Sequence, residues 1–448
     1  MTVTEQCARF AVEFAAEPIP PDVSHHAKRA LVDWCAALLP GAVVAPATLL
    51  ERSCADDLDR GRAALALGRK ATARTAALIN GTAAHTVEVD DIFRDAIYHP
   101  GAPTIAAALA AAQDVGATGE AFLKAIIVGY EISCRIGQAM GKAHYQYWHN
   151  TGTIGTFGAT AAAASLYGLD AARFAHALAT CTTFAAGLQQ AFRSDSMSKP
   201  LHAGRAAEAG VLAAQMARDG VTGTLDVIEG PAGIGRAMSN GPDWTKAMAT
   251  LGRQFHITEM TFKNHACCGH AFAAIDGALI VQAKLGAAAD QIASVKVATY
   301  RPALDVAGNP NPTTAAEARF SLPYVVATAL VHGSVRLSAV EPQRLTDPAT
   351  RALMQRLELT VDPEIDAAFP GARAARVEIV TTDGRRATHF QPTRKGDPDQ
   401  PLTDAELEAK YAELVAPVIG AARAAALLKQ LWAIDTAKLV RLGSFQVD

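Results

Sequence analysis

Aromatic side chains make up only 6% of this 448-residue chain and charged ones only 19%, while half of it is hydrophobic. Alanine, plainly the commonest residue, fills the gap. It is the best helix former and brings little volume. A chain so poor in large rings is therefore expected to build its interior from helices packed closely through small side chains. The hydrophobic half excludes a chain disordered throughout, and at ~150 residues per domain the length allows two or three domains.

Charge of one sign is also lacking. There are 41 Lys plus Arg against 44 Asp plus Glu, a formal net charge of −3. With no basic block, sequence-independent nucleic-acid binding is not expected. Apolar runs such as 102–112 are closed by Gln, Asp, Gly or Pro. None reaches the ~18–20 residues of a bilayer span. The opening MTVTEQCARFAVEFAAEP carries acidic groups and no basic lead before an apolar stretch, so no signal peptide is expected. The seven cysteines, Cys7, Cys35, Cys54, Cys134, Cys181, Cys267 and Cys268, are sparse and odd in number. They read as reduced thiols, which favours a cytoplasmic location. No GxGxxG follows a strand, and Walker A, HExxH and GxSxG patterns are missing. Nucleotide cofactors, zinc proteolysis and serine hydrolysis lose ground accordingly.

What is present is mostly helical periodicity from about 25 to 260. Ala27, Ala30, Leu31, Trp34 and Leu38 recur at helical spacing, with Lys28, Arg29 and Asp33 on other faces. Similar patterns fill 122–136, 157–169 and 206–216. Near 290 the period changes. Val295, Val297 and Thr299 alternate with Lys296 and Ala298, and Leu357, Leu359 and Val361 with Glu358, Thr360 and Asp362. Val377 and Ile379 lead into Asp383-Gly384, a hairpin signal. Pro323 suits a first helical turn, and Thr403 with Glu406 forms a capping-box pattern. The chain is therefore read as mainly α with a smaller α+β domain. The expected bounds are an all-helical domain at 1–265 and 400–448, and an α+β domain at 266–399.

Nine of the thirteen histidines lie between His85 and His270. Most sit in polar islands at 80–103, 142–158, 194–204 and 262–276. Glu88, Asp90, Asp91 and His99 in the first could act as acid–base groups or metal ligands. Asp90 and Asp91 could equally cap a helix. In the second, His149 stands before Thr151 and Thr153 at a helix start, where N–H groups favour anions. Lys199 and His202 open another helix, and Lys199 could pair with a substrate carboxylate. The fourth holds Lys263, His265, Cys267, Cys268 and His270. Adjacent cysteines do not easily reach one tetrahedral ion, and buried packing is the simpler reading of the pair.

Taken in order, these stretches resemble the MmgE/PrpD family of 2-methylcitrate dehydratase, cis-aconitate decarboxylase and iminodisuccinate epimerase. The matching stretches start with Asn80-Gly81, His85-Thr86-Val87-Glu88-Val89-Asp90-Asp91 and His99-Pro100. Trp148-His149, Gly152-Thr153 and Lys199-Pro200-Leu201-His202-Ala203-Gly204 follow. Lys263, Cys267-Cys268, Phe320-Ser321-Leu322-Pro323-Tyr324 and Lys395-Gly396-Asp397-Pro398 complete the set. Two positions depart. Glu88 stands where the family often has Asp, and Phe272 where it often has His, with His265 and His270 nearby.

The resemblance implies an all-helical domain plus an α+β lid, usually as a homodimer. It also implies an active site between the domains that takes a small di- or tricarboxylate without metal or organic cofactor. It points to His149 and Tyr324 as acid–base groups, with Lys199 and Lys263 spreading the developing charge. His99, Asp90, Asp91, His202 and Thr153 are expected to bind substrate. Dehydration is the expected reaction, with decarboxylation or epimerisation as alternatives. Outside the resemblance stand a metal-dependent hydrolase built on His265 and His270, and a non-catalytic carboxylate binder.

Overall fold

A computed structural model describes residues 1–192 and 196–442; positions 194 and 195 of the third island lie outside the described residues. The chain divides into two compact units, Met1–Thr261 with Thr403–Asp448, and Phe262–Leu402.

The first unit is built of helices, as the alanine-rich periodicity predicts. Its centre is Ser198–Arg218, which packs against Ala73–Ala84, Gly101–Val115 and Asn150–Leu166. Gly101–Val115 is buried along most of its length and consists largely of alanine there. Small side chains let these axes approach. A Cβ on Gly204 would overlap Thr82 Oγ1 and the Leu78 carbonyl, so this crossing requires glycine. The crossing brings the end of Ala73–Ala84, capped by His85, beside the first turn of Ser198–Arg218, which carries Lys199 and His202.

The C-terminal return, Asp404–Ile419, starts with the predicted capping box of Thr403 and Glu406. It packs on Pro21–Ala42. Here the local pattern misleads. Asp33, read as lying on a polar face, is fully buried. Lys410 Nζ reaches it at 2.6 Å from the return helix. The first unit also contains two small sheets that the helical periodicity did not indicate. Leu58–Ala64 pairs with Lys70–Ala71, and Ile92–Phe93 pairs with Met260–Thr261. No single helix among the described residues is long and apolar enough to cross a membrane.

The second unit holds a four-stranded sheet in the order Leu357–Val361, Ile292–Thr299, Ala375–Thr381, Arg386–Gln391. The first pair is parallel and the others antiparallel. The hairpin turns at Asp383-Gly384, where Gly384 takes a φ of 85° that L side chains rarely adopt. Phe272–Leu285 packs on the last two strands and against Leu322–His332. Cys267, Phe272, Val295, Val297, Val325 and Val377 belong to one core between them. The observed seams lie slightly outside the expected 265/266 and 399/400. Phe262 N–H donates to Gly396 O at 3.0 Å and Ala266 N–H to Val335 O at 2.9 Å, which carries 262–265 into the second unit.

Candidate active site

Three of the four polar islands meet in the first unit. Asp90 is buried at their centre. Its Oδ2 accepts from His85 Nδ1 at 2.7 Å and faces His99 Nδ1 at 3.2 Å. His85 contacts the His99 ring edge-on at 4.8 Å and stacks on His149 at 5.4 Å between centroids. His149 Nδ1 lies 2.9 Å from His202 Nδ1. Phe192 closes against His149 edge-on at 4.7 Å. Lys199 Nζ donates to Glu88 and stands 5.6 Å from the Phe192 ring centre.

Local structure explains this convergence. His149 is the N-cap of Asn150–Leu166, and its carbonyl accepts from Gly152 and Thr153 N–H. A Cβ on Gly152 would strike the Ala186 carbonyl and press on His202 Cβ at 3.1 Å. Glycine there lets the 185–188 segment reach His149, whose N–H donates to Gly187 O at 2.9 Å. Glu88 holds a φ of 61°, a left-handed backbone uncommon for a residue with a side chain. Such strain persists where neighbours over-determine it. Lys199 binds the Glu88 side chain and Lys410 Nζ binds the next carbonyl, that of Val89, at 2.6 Å.

The electrostatics separate the groups. Burial opposes charge on Asp90, yet the His85 and His99 imidazoles hold its carboxyl well below the usual range. Asp90 is therefore the anion of the cluster. Burial pushes His85 down to about 4, so at neutral pH it is a neutral ring donating Nδ1–H to Asp90. His149 is driven well below its ordinary value by burial and then by the surrounding imidazoles and Lys199. His202 moves in the same direction, again chiefly through burial.

Several expected roles change. Asp91 is not in the cluster. Its Oδ1 accepts from Gly101 N–H at 2.9 Å and its Oδ2 from the Tyr130 hydroxyl at 2.8 Å. It ties down the first turn of Gly101–Val115 in place of the expected substrate contact, which is the capping alternative. Thr153 also turns inward. Its buried hydroxyl meets His144 Nε2 at 2.7 Å, with His144 Nδ1 on Met238 O at 3.0 Å. Lys263 and Tyr324 belong to the second unit, where both are buried. Tyr324 donates its one proton to the Ala339 carbonyl at 2.6 Å. That bond ties the hydroxyl to the core of the second unit.

The residues of the hydrolase alternative are separated by their partners. His265 Nε2 pairs with Asp276 at 2.9 Å, whereas His270 Nδ1 pairs with the Tyr300 hydroxyl at 2.8 Å. Cys267 and Cys268 are buried thiols. Among the described residues, the group with ligand spacing is instead His85, Asp90 and His99, whose atoms lie within 4.8 Å of one another. Two histidines and a carboxylate suit a divalent transition metal. A proton on His85 Nδ1 makes its 2.7 Å contact with Asp90 a hydrogen bond, and His99 Nδ1 stands 3.2 Å from the same oxygen.

The expected site did not include His85, although it lies in the same island five residues before Asp90. Phe192 and Lys410 carried no local signal at all. Chemically, the assembled cluster offers an ammonium group for a carboxylate, a carboxylate-oriented imidazole, and a neutral imidazole pair.

Comparison with known proteins gives this cluster its context. The MmgE/PrpD N-terminal domain matches residues 5–247 and the MmgE/PrpD C-terminal domain matches residues 265–434. A cis-aconitate decarboxylase-like protein of Aspergillus oryzae is 28% identical over 97% of this chain and 95% of its own. Human cis-aconitate decarboxylase is 28% identical over 75% of this chain and 71% of its own. Cis-aconitate decarboxylase of Aspergillus terreus is 24% identical over 94% and 91% respectively. The histidine–lysine cluster thus sits in a chain matched along most of its length by two consecutive domains of one family, and the protein belongs to the MmgE/PrpD family.

Proposed function

We propose that the protein is a lyase acting on a small tricarboxylate of the cis-aconitate type, with decarboxylation as its reaction. The carrying observation is the convergence of His99, His149, Lys199 and Asp90 in one buried patch. Dehydration was the expectation from the family resemblance alone. The curated relatives, named as cis-aconitate decarboxylases, move decarboxylation ahead of it.

In this reading Lys199 binds a substrate carboxylate in place of Glu88. As the C–C bond to the departing carboxylate breaks, its electron pair enters the system conjugated with the neighbouring carboxylate. CO2 leaves, and a proton forms the new C–H bond. His99, whose Nδ1 faces the Asp90 carboxylate, is the better placed histidine to carry that proton. It regains one from solvent afterwards. His149, kept neutral, donates a hydrogen bond to the charge that develops. The acid–base and binding roles expected of His149 and His99 are in this way exchanged.

The test is product analysis over a panel of di- and tricarboxylates. Decarboxylation releases CO2 and shortens the acid by one carbon. Dehydration changes unsaturation with no gas, and epimerisation changes only configuration. CO2 release from cis-aconitate supports the proposal; either of the other product patterns replaces it.

A further inference from the structure

We infer that His202 is a positioning residue that sets the tautomer of His149, so that the two imidazoles handle one proton as a unit. This inference deepens the lyase reading and rests on it for its kinetic consequence.

The geometry is a direct Nδ1-to-Nδ1 contact of 2.9 Å, with the ring centroids 5.1 Å apart. Two bare lone pairs repel at that distance, and two N–H groups clash. The contact is a hydrogen bond only when one Nδ1 carries a proton and the other does not. Neutral imidazole has one N–H, so two neutral rings joined in this way must be opposite tautomers. If His202 is the donor, His149 carries its own proton on Nε2 and presents a donor there. If His149 Nε2 gives up its proton to substrate as His202 Nδ1–H passes across the contact and His202 Nε2 takes one from solvent, both rings stay neutral and His149 Nε2 becomes an acceptor. Among the described residues Nδ1 is the only His149 ring nitrogen hydrogen-bonded to protein, which leaves Nε2 for substrate.

The surroundings keep the pair neutral and fixed. His149 is buried and His202 partly so. Lys199, His85 and His99 all face His149 and disfavour its cation, and Lys199 does the same for His202. Asp90 is engaged by His85 and His99, and Glu88 by Lys199. Phe192 packs against His149 at 4.7 Å with the two rings nearly perpendicular. The His149 N–H is anchored on Gly187 O, and a Cβ added at Gly187 would meet the His202 ring at 3.3 Å. With the backbone anchored and the rings packed, the remaining freedom is which ring carries the Nδ1 proton.

The experiment has a spectroscopic arm and a kinetic arm. With 15N-histidine label, two-bond 1H–15N correlation reports the protonation of each ring nitrogen in the full-length protein. His149 and His202 are assigned from the signals lost in His149→Ala and His202→Phe. The expected wild-type result is one Nδ1 proton across the pair; none, or two, overturns the inference. In the kinetic arm, His202→Phe keeps a ring but removes the partner nitrogen. It lowers kcat by about 10-fold or more, short of the ~10²–10⁴ attached to an acid–base group itself, with KM little changed. His202→Asn places an amide near the Nδ1 position and recovers part of that loss. Wild-type kcat in His202→Phe, or no recovery in His202→Asn, counts against the inference. The wild-type spectrum decides the matter even where a variant does not fold. One shared proton with no turnover on any carboxylate would sink the lyase reading alone, and turnover with none or two would sink the pair alone.

Discussion

Lys410 Nζ donates a 2.6 Å hydrogen bond to the carbonyl of Val89, a residue 321 positions earlier in the chain. Val89 lies between Glu88, which binds Lys199, and Asp90, which organises the histidines. The same ammonium group pairs with buried Asp33 at 2.6 Å. Removing one partner of a buried pair leaves an uncompensated charge, a loss of about 3–5 kcal/mol. Lys410→Met should therefore lose stability of that order in chemical denaturation and lower turnover in whatever fraction remains folded. Wild-type stability and turnover in this variant would show that the return helix does not hold the site loop.

Asp91 predicts a stability that falls as pH rises from about 4 to about 8. Burial, and then the neighbouring Asp33 carboxylate, push its carboxyl from 3.8 up to about 8. Between those values the folded protein keeps a proton that the unfolded chain has lost. The stabilisation from Asp91 is full below about 4 and declines as pH rises through about 8. The slope is at most about 1.4 kcal/mol per pH unit. Urea unfolding at about pH 6 and pH 8 should show wild type weaker at the higher pH and Asp91→Asn with a flatter dependence. Parallel dependences would place the titration elsewhere.

Lys199 and Glu88 make opposite predictions for substrate affinity. Truncating one partner of a buried, hydrogen-bonded charge pair costs about 2–5 kcal/mol, roughly 30-fold and upward. Lys199→Met should raise KM for a tricarboxylate by at least that factor. Glu88→Gln removes the anion that competes with substrate for Lys199, so its KM should stay level or fall. An unchanged KM in Lys199→Met would remove the lysine from the binding site.

Chelation should leave turnover unchanged. His265 and His270 serve Asp276 and Tyr300 separately, and a proton on His85 Nδ1 accounts for its 2.7 Å contact with Asp90. Steady-state rates before and after chelator dialysis, with elemental analysis of the same sample, check this. Stoichiometric metal whose removal abolishes activity would turn the His85, Asp90 and His99 group into a metal centre.

Much of the architecture is legible in the sequence because it rests on local rules. The alanine periodicity marks the helices, Asp383-Gly384 marks its hairpin, and Thr403 with Glu406 marks the return helix. The islands containing His99, His149, Lys199 and His202 stand out because polar groups are rare in so apolar a chain. What escapes is pairing over distance. Nothing around Asp33 announces that Lys410 neutralises it. Adjacent Asp90 and Asp91 look equivalent until the backbone turns one toward the histidines and the other toward Gly101 and Tyr130. Tyr324 carries a family motif, yet the destination of its hydroxyl depends on Ala339, which only the folded second unit brings near.

The central claim, that the histidine–lysine cluster protonates a carbanion formed beside a carboxylate, is tested most directly by turnover of cis-aconitate in D2O. The account predicts CO2 release matched by one solvent-derived deuterium on carbon in each product molecule, with both signals strongly reduced in Lys199→Met and in His99→Ala. Release of no CO2 and uptake of no deuterium, with cis-aconitate or any other carboxylate of the panel, would contradict it.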